Sequence, residues 1–169
     1  LLADYPDSPY EEDASFRAAS CDFGLSRFTV AEPKLRTFVQ RWPESKLAGE
    51  AYVMLGDCGG TAGRLTEAVR DYLQVLQHEV NIEQYNYAMF RSAEMLQEMK
   101  DYDRAATLLR DYVTRKRPGS NIPMALHGIA QALWQKEEHD QALSFYRTAM
   151  EQYGGDRKEL GVDMLIDDW

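Results

Sequence analysis

An internal repeat constrains this chain more than any other feature of its sequence. Shifted by 37 residues, the sequence aligns with itself from the first residue to about Tyr153 without a gap. Small residues and large apolar residues recur in fixed columns, which predicts an array of stacked structural units. The small columns are Ala14, Ala51, Ala88, Ala125; Ala19, Gly56, Ala93, Ala130; and Ala31, Ala68, Ala105, Ala142. The large columns are Leu35, Tyr72, Leu109, Tyr146 and Phe38, Val75, Tyr112, Ala149.

Each repeat is predicted to hold two helices, helix A and then helix B, because its apolar residues are spaced by three and four. Ala68, Tyr72 and Val75 illustrate such a face. The predicted helices A cover 9–23, 46–58, 83–98 and 121–136, and the predicted helices B cover 29–41, 66–79, 103–115 and 140–152. The column Thr29, Thr66, Asp103, Asp140 is predicted to cap the starts of helices B.

The repeat register also predicts the organisation of the whole chain. Leu1 and Tyr5 fall on the columns of Phe38 and Trp42, so residues 1–7 are expected to end a helix B whose helix A is missing. We therefore expect the chain to be part of a longer protein. The four complete repeats are placed at 8–44, 45–81, 82–118 and 119–155.

The end of the sequence departs from the repeat pattern. Val162, Leu165, Ile166 and Trp169 form an apolar stripe. Because a terminal repeat needs a polar outer face, we expect residues 156–169 to form a capping helix.

Composition limits the classes of partner. The chain is 44% hydrophobic and 11% aromatic, which excludes a wholly disordered chain. Its net charge of −9 argues against duplex DNA, RNA and anionic membranes, which need a basic surface. No stretch approaches the roughly 18 consecutive apolar residues of a membrane helix. We expect no nucleic-acid partner and no insertion into a membrane.

No pattern in the sequence predicts catalysis, a cofactor or a metal. The Gly-rich stretch from Gly56 to Gly63 lacks the Gly-Lys-Ser/Thr of a phosphate loop and follows a helix, so it is interpreted as a loosened helix end. His78, His127 and His139 lie in different elements without a His-Glu-x-x-His pair, which argues against a zinc enzyme.

The two cysteines are interpreted as packing residues. Cys21 and Cys58 are one repeat apart, in a column continued by Met95 and Ala132. Equivalent points on neighbouring helices lie about 8 to 10 Å apart, too far for a disulfide. Two reduced thiols are compatible with either cytoplasm or periplasm.

The repeat resembles the tetratricopeptide repeat family in its spacing of large, small and aromatic residues. Leu55-Gly56, Ala68 and Tyr72 match the family pattern, as do Ile129-Ala130, Ala142 and Tyr146. The first repeat departs from it with Ala18-Ala19, Asp22 and Pro33. The 37-residue period, with Tyr5-Pro6-Asp7-Ser8 and Trp42-Pro43-Glu44-Ser45, is similar to bacterial envelope proteins of the TolA-binding and outer-membrane-assembly lipoprotein type, which favours the bacterial envelope as a location.

The resemblance implies an all-α solenoid, a right-handed superhelix of four stacked helix pairs with helices A lining a concave face. It also implies a scaffold that binds a partner peptide or domain and carries out no chemistry. Two alternatives stay open: a regulatory or targeting arm of a larger enzyme, and a structural solenoid that associates with itself. The oligomeric state is not predicted.

Helix A columns that point inward in the family give the candidate groove. Tyr87 and Trp134 are candidate aromatic anchors, and Arg91 shares its column with Gly128, which would leave the guanidinium room. Trp134 could instead plug the end of its helix, and Phe16 and Phe90 could pack between repeats. The candidate groove residues are Arg17, Asp57, Tyr87, Arg91, Glu94, His127 and Trp134.

Overall fold

The computed structural model describes residues 10–153, which form eight α-helices and contain no strand. The predicted all-α repeat fold is confirmed, and the helices A and B alternate along the chain as expected. The predictions for residues 1–7, for the start of the first helix A at residue 9 and for the capping helix over 156–169 lie outside the described residues. The helices are α1 Glu11–Gly24, α2 Phe28–Arg41, α3 Ala48–Thr61, α4 Leu65–Gln74, α5 Ile82–Glu98, α6 Tyr102–Arg115, α7 Ile122–Gln135 and α8 His139–Tyr153.

The chain divides into two compact units, Leu1–Ala88 (unit 1) and Met89–Trp169 (unit 2), with the division inside α5. In unit 1, α1 pairs with α2 and α3 with α4, and α2 packs on α3. In unit 2, α7 packs on both α6 and α8. A 3₁₀ turn, Val75–Gln77, continues α4.

The small columns form the closest helix contacts in each unit. Ala31 and Ala51 in unit 1 are fully buried, as are Ala105, Ala125 and Ala142 in unit 2. Burial of this kind is expected where backbones approach closely, since a larger side chain would hold the helices apart. The core of unit 1 is completed by Phe16, Ala19, Leu35, Phe38, Val39, Leu55 and Cys58.

The predicted loosening at the Gly-rich stretch is wrong, because α3 continues to Thr61. A Cβ on Gly56 would lie 2.5 Å from the ring of Tyr72, and one on Gly59 would lie 3.1 Å from the Cβ of Ala68. These two glycines therefore let α4 approach α3, which offsets their poor helix propensity.

All four A-to-B turns share one backbone motif. Ser26, Gly63, Lys100 and Glu137, each 37 residues apart, adopt positive φ angles of 57°, 72°, 59° and 64°. The next residue donates its N–H to a carbonyl five residues back, over 2.8 to 3.0 Å in each of the four turns. This is the Schellman ending of a helix, with a left-handed residue after the last turn.

The same turn corrects the predicted helix starts. The residues that precede α2, α4 and α6 are Arg27, Arg64 and Asp101, two positions before the predicted capping column. Of these three, only Asp101 caps with its side chain, by accepting from the backbone N–H of Arg104. The Schellman turn sets the entry into helix B, and thus a capping side chain is not needed at every start.

Helices B in each unit are joined through one pair of columns. In unit 1, Arg36 on α2 donates to both carboxylate oxygens of Asp71 on α4, at 2.6 and 2.5 Å. Asp71 is 1% exposed. In unit 2, the equivalent residues are Arg110 on α6 and Phe145 on α8. The guanidinium of Arg110 lies 5.5 Å from the ring centroid of Phe145. One contact position is therefore ionic in unit 1 and cation–π in unit 2.

Candidate partner-binding surfaces

An open groove lies between α1 and α3 in unit 1. Its volume is about 490 Å³, and Phe16 and Leu47 contribute apolar lining. Ser20 on α1 approaches the sulfur of Met54 on α3 at 3.7 Å, so the two helices are in contact beside the groove. The groove is lined by Asp13, Phe16, Arg17, Ser20, Cys21, Leu47 and Glu50.

Asp13, Arg17 and Glu50 line this groove. Asp57 lies two turns beyond Glu50 on the same side of α3, and Tyr87 at the start of α5 contacts Asp57. We call these five residues the A face of unit 1. The structure brings the predicted residues Asp57 and Tyr87 together: the Tyr87 hydroxyl donates to Asp57 Oδ1 over 2.7 Å. The hydroxyl of Tyr72 donates to the same oxygen over 2.6 Å. The carboxylate of Asp57 is therefore held by two tyrosines.

Tyr87 presents much of its ring to solvent although its hydroxyl is bonded. It is 43% exposed, and its ring meets that of Tyr72 edge-on at 6.1 Å between centroids. Tyr72 is fully buried, which fixes the ring that supports Tyr87. The result is a rigid, exposed aromatic side chain of the type that dominates binding energy at interfaces.

Arg17, also predicted, lies in the groove as half of an ion pair. Its Nε donates to Asp13 Oδ2 over 2.6 Å, one helical turn away. The hydrogen bond and charge of Asp13 raise the pKa of the Arg17 guanidinium above its ordinary value. Both side chains are well exposed, so the pair neutralises its own charge while adding little to stability.

The four remaining predicted residues belong to unit 2. Arg91 and Glu94 form an exposed ion pair along α5, with 2.6 Å between Nη1 and Oε2. Each therefore has a charged partner on its own helix, and a protein partner would have to compete with that contact.

His127 is half-buried on α7. Its ring lies edge-on to Tyr146, with 5.6 Å between centroids, and burial lowers the pKa of the imidazole below its ordinary value. No described residue bonds its Nδ1, which is buried. The side chain is accordingly a neutral, packed ring at neutral pH rather than a charged contact.

Trp134 lies against the start of α8. Its ring is 4.4 Å from that of His139, between centroids, and it is half-buried. This contact supports the alternative in which Trp134 plugs the end of α7, with one part of the ring left accessible.

Two neighbouring positions take part in helix packing. Phe16 and Phe90, in the same column, pack on Phe38 and Tyr112 of their own helix pairs, with 5.3 and 5.2 Å between ring centroids. A Cβ on Gly128 would lie 2.6 Å from Leu109 Cδ1, so this glycine allows α7 to approach α6. Whether it also leaves room for Arg91 stays a prediction.

Only one of the two cysteines in this column is a packing residue. Cys58 is buried, as predicted, whereas Cys21 is exposed in the groove, and both thiols are free. Burial raises the pKa of the Cys58 thiol to about 11.

The described residues contain no group of three or more His, Cys, Asp and Glu side chains that could hold a metal ion. All three histidines instead contact aromatic rings, and His78 stacks on Tyr52. Within residues 10–153, no helix combines the length and apolar character needed to cross a bilayer.

Sequence reasoning missed the role of Tyr72. Its column alternates Leu and Tyr, which identified it as core, and the ring is indeed buried. The signal that could have revealed its hydroxyl contact was Asp57, a carboxylate whose neighbour in the next helix is an aromatic with an O–H group.

The fold and these faces define a class of helical-repeat proteins. A model of the tetratricopeptide repeat family matches residues 16–88 and 90–157. This chain belongs to that family. No curated protein matches the sequence significantly.

Solved structures agree on the fold. MamA superposes with a TM-score of 0.65 at 18% sequence identity, covering 86% of this chain and 80% of that one. A second MamA structure gives 0.66 at 20% identity, covering 89% and 75%. The nearly identical TPR-like repeats of a Podosopora anserina protein described as a kinesin light chain give 0.64 at 15%, covering 92% and 84%. At such identities the likeness concerns the fold alone.

Proposed function

We propose that this chain is a protein-interaction scaffold that binds a peptide or partner domain on the faces formed by its helices A. Tetratricopeptide repeat proteins generally mediate protein–protein interactions, and the chain belongs to that family. The proposal assigns binding to both units: the A face in unit 1, and Arg91, Glu94, His127 and Trp134 in unit 2.

The observation that carries the proposal is the Tyr87 side chain. Its ring is exposed on the A face of unit 1, while its hydroxyl is fixed on Asp57. A partner that covers this ring gains apolar area without having to order a flexible side chain, because that ordering is already complete in the free protein.

Selection from a random-peptide library displayed on phage tests the proposal. The selected peptides are synthesised, and their affinities are measured for the wild-type chain and for Tyr87→Ala, with folding checked by circular dichroism. We expect Tyr87→Ala to weaken binding by about 2 kcal/mol or more, as for an interface anchor.

Leu25→Ala is the matched control for this experiment. Leu25 is also a large exposed side chain, but it lies in the α1–α2 turn rather than on the A face. Its removal should leave the affinity within about twofold. If every selected peptide bound Tyr87→Ala and Trp134→Ala as tightly as the wild type, the helix A faces would be excluded as the binding surfaces.

A further inference from the structure

We infer that the A face of unit 1 selects a basic segment: a partner with two cationic side chains about 10 Å apart and an apolar residue between them. This inference rests on the proposed function, because it names the chemistry of the partner that the same face would bind. The arguments concern charge, spacing and the support of one carboxylate.

The first argument is the uncompensated charge on this face. Of its four charged groups, Asp13 and Arg17 neutralise each other. Glu50 and Asp57 form no ion pair with any residue of the described chain. Three other arginines of unit 1 are engaged elsewhere: Arg36 with Asp71, Arg41 with Glu11 and Arg64 with Glu32. A partner's cation would therefore meet two carboxylates without displacing a resident one.

The second argument is spacing. Glu50 and Asp57 are seven residues apart on α3, two helical turns along one side of the helix. At 1.5 Å per residue, their Cα atoms are separated by about 10.5 Å along the axis. Residues three apart in a polyproline II segment point to the same side and lie about 9 Å apart, because this helix has three residues per turn. A segment in this conformation with basic residues at positions i and i+3 would match both carboxylates.

The third argument is the geometry around Asp57. Both tyrosine hydroxyls donate to Oδ1, and no described residue donates to Oδ2. The exposed Tyr87 ring adjoins this carboxylate, so a guanidinium could pair with the carboxylate and lie over the ring at once. An apolar residue of the same segment would face the groove lining at Phe16 and Leu47.

The peptides selected from the random library provide the test. We expect an excess of Arg and Lys, spaced by three residues, among the peptides that lose affinity for Tyr87→Ala. Replacing both basic residues by Gln should weaken binding at least about tenfold, and raising the salt to about 0.3 M should weaken the parent peptide but not the Gln peptide.

Matched substitutions test the protein side. Glu50→Gln and Asp57→Asn each remove one charge, and the amide introduced by Asp57→Asn keeps a carbonyl oxygen that can accept from both tyrosines, so folding should be unchanged. Each should weaken binding about fivefold to tenfold. Glu44→Gln removes the same charge in the exposed α2–α3 loop and should change affinity less than twofold.

The outcomes separate this inference from the proposed function. Peptides that depend on Tyr87 but carry no basic excess, or that bind Glu50→Gln and Asp57→Asn as tightly as Glu44→Gln, would overturn the basic partner while leaving the scaffold intact. Peptides indifferent to Tyr87 and to Trp134 would instead overturn the proposed function.

Discussion

Two cysteines that share one column of the repeat differ in their exposure to solvent. Cys21 is exposed in the α1–α3 groove, whereas Cys58 is 1% exposed in the core of unit 1. Both lie three residues before the last residue of a helix A. Cys58 belongs to the core cluster that includes Ala31 and Leu35 of α2, whereas Cys21 faces the open groove.

The thiols should accordingly react at very different rates. At pH 8, a thiol with a pKa of about 11 is ionised in only about one molecule in a thousand, against roughly a quarter for an ordinary thiol. We expect a disulfide reagent to label Cys21 at least about a hundredfold faster than Cys58 in the native protein, and raising the pH towards 11 to narrow the gap.

Mass spectrometry of tryptic peptides would locate the label, with Cys21→Ser as the control that removes the fast phase. Unfolding in denaturant should equalise the two rates. A fast phase that survives in Cys21→Ser would mean that Cys58 is not buried.

Glycine at position 56 is required by one contact. A Cβ there would lie 2.5 Å from the Tyr72 ring, which cannot move away because it is buried and its hydroxyl is bonded to Asp57. Gly56→Ala should therefore lower the free energy of unfolding by about 1 to 2 kcal/mol, since overpacking outweighs the gain in helix propensity. Denaturant titration measures this change.

Gly24→Ala is the matched control for Gly56→Ala. Gly24 is also helical, but a Cβ there would meet no atom within 4 Å. Gly24→Ala should leave the free energy of unfolding unchanged or raise it by up to about 0.5 kcal/mol. Equal effects at the two positions would show that α3 and α4 do not approach as described.

At the scale of helices, the sequence predicted the elements well and their junctions less well. Periodicity places α2 and α6 within a residue or so of their observed starts. The capping column was misassigned because Thr29 and Thr66 have the chemistry of caps while the turn before them is closed by backbone hydrogen bonds. Three of the four left-handed turn residues are not glycine, so composition gives no sign of them.

Lys100 offers a direct test of this turn. Its φ of 59° is costly for a residue with a Cβ and free of strain for glycine. Lys100→Gly should raise the free energy of unfolding by about 0.5 to 1 kcal/mol, after allowing for the greater freedom of glycine in the unfolded chain.

Lys116→Gly and Gln97→Gly make the comparison specific. Lys116 also has a positive φ, so a gain is expected there as well, whereas Gln97 lies inside α5 and its replacement should cost about 1 kcal/mol. A loss of stability in Lys100→Gly would contradict the left-handed turn.

For the whole molecule, the 37-residue period accounts for most of what could be predicted. It determined the number, type and order of the helices, because a repeated pattern must fold into repeated elements. It could not predict what fills each contact. The Arg36–Asp71 ion pair and the Arg110–Phe145 contact occupy equivalent columns, yet the sequence gives no rule by which one unit uses a carboxylate and the other an aromatic ring.

The residues of the candidate surface could also be predicted in part: their place on the surface was predicted, and their local ion pairs were not. Column position brought Asp57 and Tyr87 onto one face, since inward positions of helix A are set by the helical period. Whether Arg17 and Arg91 are available to a partner depends on local pairs with Asp13 and Glu94, which form by rotamer choice on the same helix. Such choices cannot be derived from spacing alone.

The recurring turn also determines where a protease could open the chain. Each A-to-B turn is closed by backbone hydrogen bonds. Three of these turns contain an exposed basic residue, which is Arg27, Arg64 or Lys100. The links between helix pairs are longer, and that between α6 and α7 exposes Lys116 and its neighbours. Because exposed loop tips are nicked first, trypsin should cut beside Lys116 before it cuts beside Arg27, Arg64 or Lys100. The helix pair, rather than the single helix, would then be the fragment that survives digestion.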